Sequence, residues 1–401
     1  MSSEATPWRP ILEGDSGARA AQAVTELARI LAEPEALPPA SLASGGPGLA
    51  LFFAYLARAR PGQGHEARAS RFLDDAIDAL AVETLDASLY AGFTGVAWTA
   101  EHLDGSDEAD DPVQEIDGAL LEHLARSPWT GDHDLVSGLA GAAVYALERM
   151  PRRSARACLE LIFDRLEETA ERRAGMATWK TGAALASDAS RRHRPHGQYD
   201  VGVAHGVPGL VAILAAMAAA GIGGGRARTL FEQATAWVQS CRLPDEPGRA
   251  RFPYFAGPDI TPAPARFGWC YGDPGVAAAL LTAARSAGDE SLAGEALALA
   301  RRAAAEPATR PDVTDAALCH GAAGVAHIFN RIHQVTGDAT CAGAARRWFG
   351  RALEFETGGP GLITGAAGTG LALLAATSAV EPAWDRLLLV SSRPVDRLLD
   401  G

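Results

Sequence analysis

The sequence predicts an all-α protein, an α/α toroid or double-ring barrel of seven helix pairs, and three observations lead there. Of the 401 residues 48% are hydrophobic but only 6% aromatic, with 43 glycines, a composition that suits closely packed helices better than an all-β core. Gly-x-x-Gly recurs at Gly45/Gly48, Gly92/Gly95, Gly138/Gly141, Gly206/Gly209, Gly272/Gly275, Gly321/Gly324 and Gly365/Gly368, the first glycines being 47, 46, 68, 66, 49 and 44 residues apart. Hydrophobicity changes phase at every one of these pairs, and a recurrent period of this length is the signature of a repeat architecture.

Behind each pair the chain is apolar almost all round, as in Leu49-Ala50-Leu51-Phe52-Phe53, Ala142-Ala143-Val144-Tyr145 and Leu210-Val211-Ala212-Ile213-Leu214. A helix of that kind is buried on every side. Ahead of each pair lies a segment with one apolar stripe at helical spacing, for example Phe72, Ala76, Leu80; Leu159, Ile162, Leu166; and Leu230, Ala234, Trp237, Cys241. Seven half-exposed helices, each followed by a buried one, fit an inner ring wrapped by an outer ring. An open solenoid of the same pairs fits the repeat as well, because repetition does not establish closure. The glycines admit conformations and close approaches that a β-carbon forbids, and Pro47, Pro208 and Pro274 suit the first residues of the helices that follow.

The two long intervals hold extra stretches. Ala174 to Asp200 carries Trp179, Lys180, His193, His196 and Tyr199, and Leu243 to Phe267 is rich in Pro and Gly. Both read as loops on a rigid scaffold, where recognition is often located. No linker or shift of composition divides residues 1–401, so the chain reads as one domain.

With 36 basic against 49 acidic residues, a net charge of −13, no phosphate-binding footprint is expected and nucleic acid is excluded as a partner. The N-terminus lacks the regions of a signal peptide, and the longest apolar run, Leu210 to Gly223, is too short to span a bilayer. A cytoplasmic protein without membrane insertion is expected. Cys158, Cys241 and Cys341 lie within helical patterns as small buried hydrophobes, and the odd total of five cysteines implies no disulfide framework.

Polar residues before the glycine pairs are concentrated in four consecutive turns. Asp134 stands four residues before Gly138, His205 one before Gly206, Cys270 two before Gly272, and Cys319 with His320 directly before Gly321. In a toroid these turns are neighbours on one rim. Two thiols and an imidazole at corresponding turns make a three-ligand zinc site of Cys270, Cys319 and His320, and three protein ligands instead of four leave a position open for chemistry. Buried free cysteine is the alternative for Cys270, a core or capping histidine for His205, and helix capping for Asp134. His133, His193, His196, His327 and His333 share no offset with the repeat and are expected at the surface or in the core.

Through Trp269-Cys270-Tyr271-Gly272, Cys319-His320-Gly321, Ala204-His205-Gly206-Val207-Pro208-Gly209 and the seven glycine pairs, the chain resembles the lanthipeptide cyclases, the lanthionine synthetase C-like family, in its standalone class I form. The resemblance implies an α/α toroid with Zn2+ on Cys270, Cys319 and His320, and places His205, Asp134, Arg266 and Tyr271 at active-site positions. It also implies a reaction: a cysteine thiolate of a dehydrated precursor peptide adds to a dehydroalanine or dehydrobutyrine of the same peptide. The product is a lanthionine or methyllanthionine thioether. In that scheme Arg266 stabilises the enolate and His205, tuned by Asp134, protonates the α-carbon. A separate dehydratase and an export transporter are the partners expected beside the peptide. Two other readings stand. One is a zinc-dependent thiol alkyltransferase of the prenyltransferase type, which generally uses Asp, Cys and His; the other is a non-catalytic module that binds thiol peptides or glutathione.

Overall fold

The computed structural model describes residues 7–34, 38–105, 111, 113–181, 194 and 196–392. Its outer helices are α1 (Gly14–Leu31), α3 (His65–Leu80), α5 (Gln114–Leu124), α7 (Arg153–Thr169), α9 (Gly225–Ser240), α11 (Glu290–Ala304) and α13 (Ala339–Ala352). The inner helices are α2 (Gly46–Ala59), α4 (Phe93–Asp104), α6 (Leu139–Arg149), α8 (Val207–Ala219), α10 (Asp273–Ala287), α12 (Ala322–Thr336) and α14 (Ala366–Thr377). The two sets differ as their sequences require. Along α8 every residue from Val207 to Met217 is buried, whereas α7 buries the single stripe Ala155, Cys158, Leu159, Ile162, Phe163 and Leu166.

The packing unit is phased differently from the sequence repeat. Except for α5, which packs mainly on α7, outer helices pack mainly on the inner helix before them where one precedes, as α3 on α2, α11 on α10 and α13 on α12. The reason is connection length: only residues 288–289 separate α10 from α11 and 337–338 separate α12 from α13, which makes each an antiparallel hairpin. This phase leaves α1 without a preceding partner, and it packs on α14 instead. Both Ile11 and Leu12 donate their backbone N–H to Ala376 O, at 2.9 and 3.0 Å, and Trp8 Nε1 donates to Ala375 O at 2.8 Å. The first outer helix and the last inner helix therefore complete one pair, and α14 also packs on α2. The ring is closed, which the repeat alone did not settle.

Closure is repeated in the layer of turns. Ala43 donates its N–H to Tyr90 O (2.9 Å), Tyr90 to Val136 O (3.5 Å), Leu135 to Ala204 O (3.1 Å) and Ala204 to Cys270 O (3.3 Å). Cys270 then donates to Cys319 O (3.1 Å), Cys319 to Ile363 O (3.0 Å) and Leu362 to Ala43 O (2.8 Å), so the hydrogen bonds return to their start. Each turn coils so tightly that its glycines face backbone six residues earlier. A Cβ on Gly275 would lie 2.0 Å from Trp269 O, and one on Gly272, whose φ is +103°, would lie 1.9 Å from Arg266 O.

The C-terminal segment runs into the ring. A 3-10 helix at Ala383–Leu388 buries Leu387 and Leu388; Tyr90 Oη donates to Leu387 O and Trp269 Nε1 to Leu388 O, each at 2.7 Å. Its buried Asp385 meets Arg331 Nε and His327 Nε2 of α12, both at 2.8 Å. Partners on turns two and five and on α12 put this segment at the centre of the ring.

The two long stretches are not plain loops. β1 (Glu171–Arg173) and β2 (Met176–Thr178) form an antiparallel hairpin, while β3 (Tyr199–Asp200) pairs antiparallel with β4 (Phe255–Ala256) and so joins one stretch to the other. Trp179 is buried and donates Nε1–H to Leu166 O at 2.9 Å, which anchors the first stretch to α7. His193 lies outside the described residues. No described helix is long and apolar enough to cross a membrane.

Candidate functional site

Turns five and six carry the two cysteines, and the backbone ring sets them side by side. Cys270 N–H donates to Cys319 O, and Gly268 lies so close to turn six that a Cβ there would be 2.8 Å from His320 Cα. The ligand atoms of Cys270, Cys319 and His320 fall within 4.8 Å of one another. Cys270 Sγ is 4.0 Å from His320 Nδ1, against about 3.5 Å between a sulfur and a nitrogen ligand of tetrahedral zinc. Small side-chain rotations would close that gap. The other ring nitrogen, His320 Nε2, faces Asp315 Oδ2 at 3.9 Å, where carboxylates orient metal-bound histidines. The donor set and its spacing could hold a metal ion.

Electrostatics separate these cysteines from the rest. Burial pushes the Cys158, Cys241 and Cys341 thiols up to about 12. Cys270 is pulled down to about 5 by its hydrogen bond with Cys319, and further by His320 and the Arg266 charge, against the effect of burial. Cys319, the partner in that bond, is raised. The contacts of Cys270 thus favour its thiolate, the form in which a cysteine ligates a metal. Arg266 is half-buried; its Nε lies 3.4 Å from Tyr254 Oη, and this bond and the two thiols' charge favour its guanidinium form.

Turns three and four contribute a carboxylate and an imidazole. His205 Nδ1–H donates to Asp134 Oδ2 at 2.5 Å, and Asp134 Oδ1 is held by Ser137 N–H at 2.7 Å. The Asp134 carboxylate is 97% hidden while the His205 side chain is 44% exposed, so the acid is structural background and the ring faces outward. Burial lowers the imidazole pKa, but the hydrogen bond and charge of Asp134, with Asp200 and Asp132 behind them, raise it overall. Asp134 is lowered: burial raises it, but the bond and charge of His205, the Ser137 N–H and the His133 charge together bring it down.

A sequence profile of lanthionine synthetase C-like proteins matches residues 38–389. The chain belongs to the lanthionine synthetase C-like family. Its fold is similar to the solved structure of nisin cyclase, with a TM-score of 0.76 over 93% of this chain and 97% of that one, at 18% identity. No curated protein matches the chain in sequence.

In this lanthionine synthetase C-like chain the four motif turns do adjoin. His133 is buried next to Asp134, near enough to His205 for their charges to interact, while His327 is bonded to Asp385 in the core and His333 Nδ1–H donates to Asp338 O at 3.0 Å. Tyr271 touches the ring of His205, 6.3 Å between centroids, and of Tyr254, at 5.3 Å. Two residues of this neighbourhood are absent from the sequence reading. Asp200 is 1% exposed and accepts from Tyr271 Oη at 2.6 Å, and Tyr254 stands between Tyr271 and Arg266. Asp200 had a signal: it precedes Gly206 by six residues, as Arg266 precedes Gly272. Tyr254 had none, because its place depends on the β3–β4 pairing.

Proposed function

We propose that the chain is a zinc-dependent lanthipeptide cyclase. The observation that supports it best is the convergence, on neighbouring turns of one rim, of a Cys270-Cys319-His320 cluster and a His205–Asp134 pair. Cys270, Cys319 and His320 would hold the zinc, with His320 using Nδ1 and Asp315 facing Nε2. Bound there, the ion supplies a positive charge and a fourth position that keep a substrate thiol deprotonated near neutral pH.

The chain's own residues account for the rest. The substrate sulfur forms its bond to the β-carbon of a dehydrated residue, and the π electrons of that double bond move toward the α-carbon and its carbonyl oxygen. Arg266, kept cationic and held by Tyr254, faces this developing charge. With Nδ1 committed to Asp134, Nε2 is the atom of His205 left to give a proton to the α-carbon, and Asp134 favours the protonated ring that can do so. The proton lost by the substrate thiol restores His205 through solvent, so the reaction is an isomerisation of the peptide. Its substrate already carries dehydrated serine or threonine, hence a dehydratase acts first.

The test is incubation of zinc-loaded protein with a dehydrated peptide bearing cysteine. Loss of alkylatable thiol at unchanged peptide mass is expected. Binding without thiol loss would leave only the binding-module reading, and thiol loss that requires an isoprenoid diphosphate would indicate the alkyltransferase.

A further inference from the structure

Asp200 enters the scheme above only as a charge behind His205, yet four hydrogen bonds hold its carboxylate beside the site. It sits at the end of β3, six residues ahead of the glycine that follows His205, and is 1% exposed. Gln198 Nε2 donates to both its oxygens, at 3.0 and 2.9 Å, and Thr181 Oγ1 donates to Oδ2 at 3.0 Å. The remaining direction is taken by Tyr271 Oη, which donates to Oδ1 at 2.6 Å. Gly202 makes the approach possible: a Cβ there would stand 2.3 Å from Cys270 O and 2.5 Å from the Tyr271 ring. Asp200 therefore links turn four, which carries His205, to turn five, which carries Cys270 and Tyr271.

We infer that Asp200 is a positioning residue for ring closure: it holds the hydroxyl proton of Tyr271, so that the ring is fixed beside His205 and its oxygen faces the site only as a hydrogen-bond acceptor. A phenol has one proton to give. With that proton bonded to a buried carboxylate, Tyr271 is not the group that protonates the substrate. The α-carbon proton then comes from His205. The Tyr271 oxygen can accept from a donor in the substrate backbone, which would orient the dehydrated residue toward the ring face shared by Tyr271, Tyr254 and His205. Such orientation is where an error of an ångström costs about 100-fold in rate. This inference rests on the cyclase reading.

The experiment is a double-mutant cycle on full-length protein: wild type, Tyr271→Phe, Asp200→Ala and the pair, each assayed for the ring-closure rate constant, KM for the dehydrated peptide, zinc content and thermal midpoint. Tyr271→Phe and Asp200→Ala should each slow closure about 10- to 100-fold with zinc retained. The double variant should be no slower than the slower single one. If Asp200→Ala does not fold, Asp200→Asn keeps the volume and one acceptor oxygen. It should slow closure less than Tyr271→Phe does, and add nothing when combined with it. Losses that multiply, or an Asp200 variant that closes rings at the wild-type rate while Tyr271→Phe is slow, would overturn the inference. A wild-type protein that forms no thioether would instead defeat the cyclase reading itself.

Discussion

Asp385→Asn should destabilise the protein by about 3 kcal/mol, and the structure gives that figure by two routes. Asp385 is fully buried; it accepts from Arg331 Nε and His327 Nε2, both at 2.8 Å, and from Ser391. Removing one partner of a buried pair costs about 3–5 kcal/mol, and the low end applies because Arg331 keeps a second partner, Glu381. The second route is protonation. Burial pushes the carboxyl up, but the Arg331 charge and the bonds from His327 and Ser391 hold it at about 2. Against an ordinary aspartate near about 3.9, that depression is worth about 2.6 kcal/mol at neutral pH. The sign follows: a depressed carboxyl stabilises above its unfolded value, and the contribution is lost as pH falls from about 4 toward about 2. Urea unfolding followed by circular dichroism at pH 7 and at about pH 2.5 checks this. The variant should be weaker at pH 7, and its deficit should shrink at about pH 2.5. A deficit below about 1 kcal/mol at pH 7, or one that does not shrink in acid, would refute the reasoning. Function should register the change as well. Leu388 O holds Trp269 Nε1, and Trp269 precedes Cys270, so a loosened C-terminal segment should lower zinc affinity at the opposite end of that hydrogen bond.

Three further outcomes are expected. His205→Asn should retain zinc and slow thioether formation about 10²–10⁴-fold, whereas Cys270→Ala should lose zinc and activity together; zinc lost from both would make His205 a ligand or its support. Asp134→Asn removes the charge that raises His205, so the protonated ring is lost at lower pH and the alkaline limb of the rate profile should move toward acid; an unmoved limb would exclude His205 as the acid. Replacing residues 257–262, the exposed tip beyond β4, with a short glycine turn should raise KM for the peptide and leave zinc content intact. Unchanged KM would remove that tip from recognition.

The toroid was legible because its two helix types write different periods, one apolar all round and one striped, and because each turn needs glycine where its backbone doubles back. The cluster on turns five and six was legible because equal offsets from equal turns meet equal heights on a ring. Three things were hidden. The pairing phase depends on connection length and not on the order of the patterns. The C-terminal segment, Leu387 to Val390, reads as an ordinary apolar run, and only its partners Tyr90 and Trp269 show where it goes. Asp200 and Tyr254 owe their roles to strand pairing between two segments about 55 residues apart, a contact no local periodicity encodes.

An open stack of repeats loses order from its ends, so its terminal units need polar caps and exchange their amide protons first. The circuit of backbone hydrogen bonds from Ala43 through Cys270 and Cys319 back to Leu362 has no end unit. Accordingly α14, the last inner helix, is buried as completely as α8 in the middle and carries no polar cap; its outer flank is covered by α1 from the other terminus. The chain is thus a circle cut once, between segments that stay paired. New termini placed at residues 288–289, with the old ones joined through a linker, should leave the same ring of slowly exchanging amides and the same pair of cysteine turns within it.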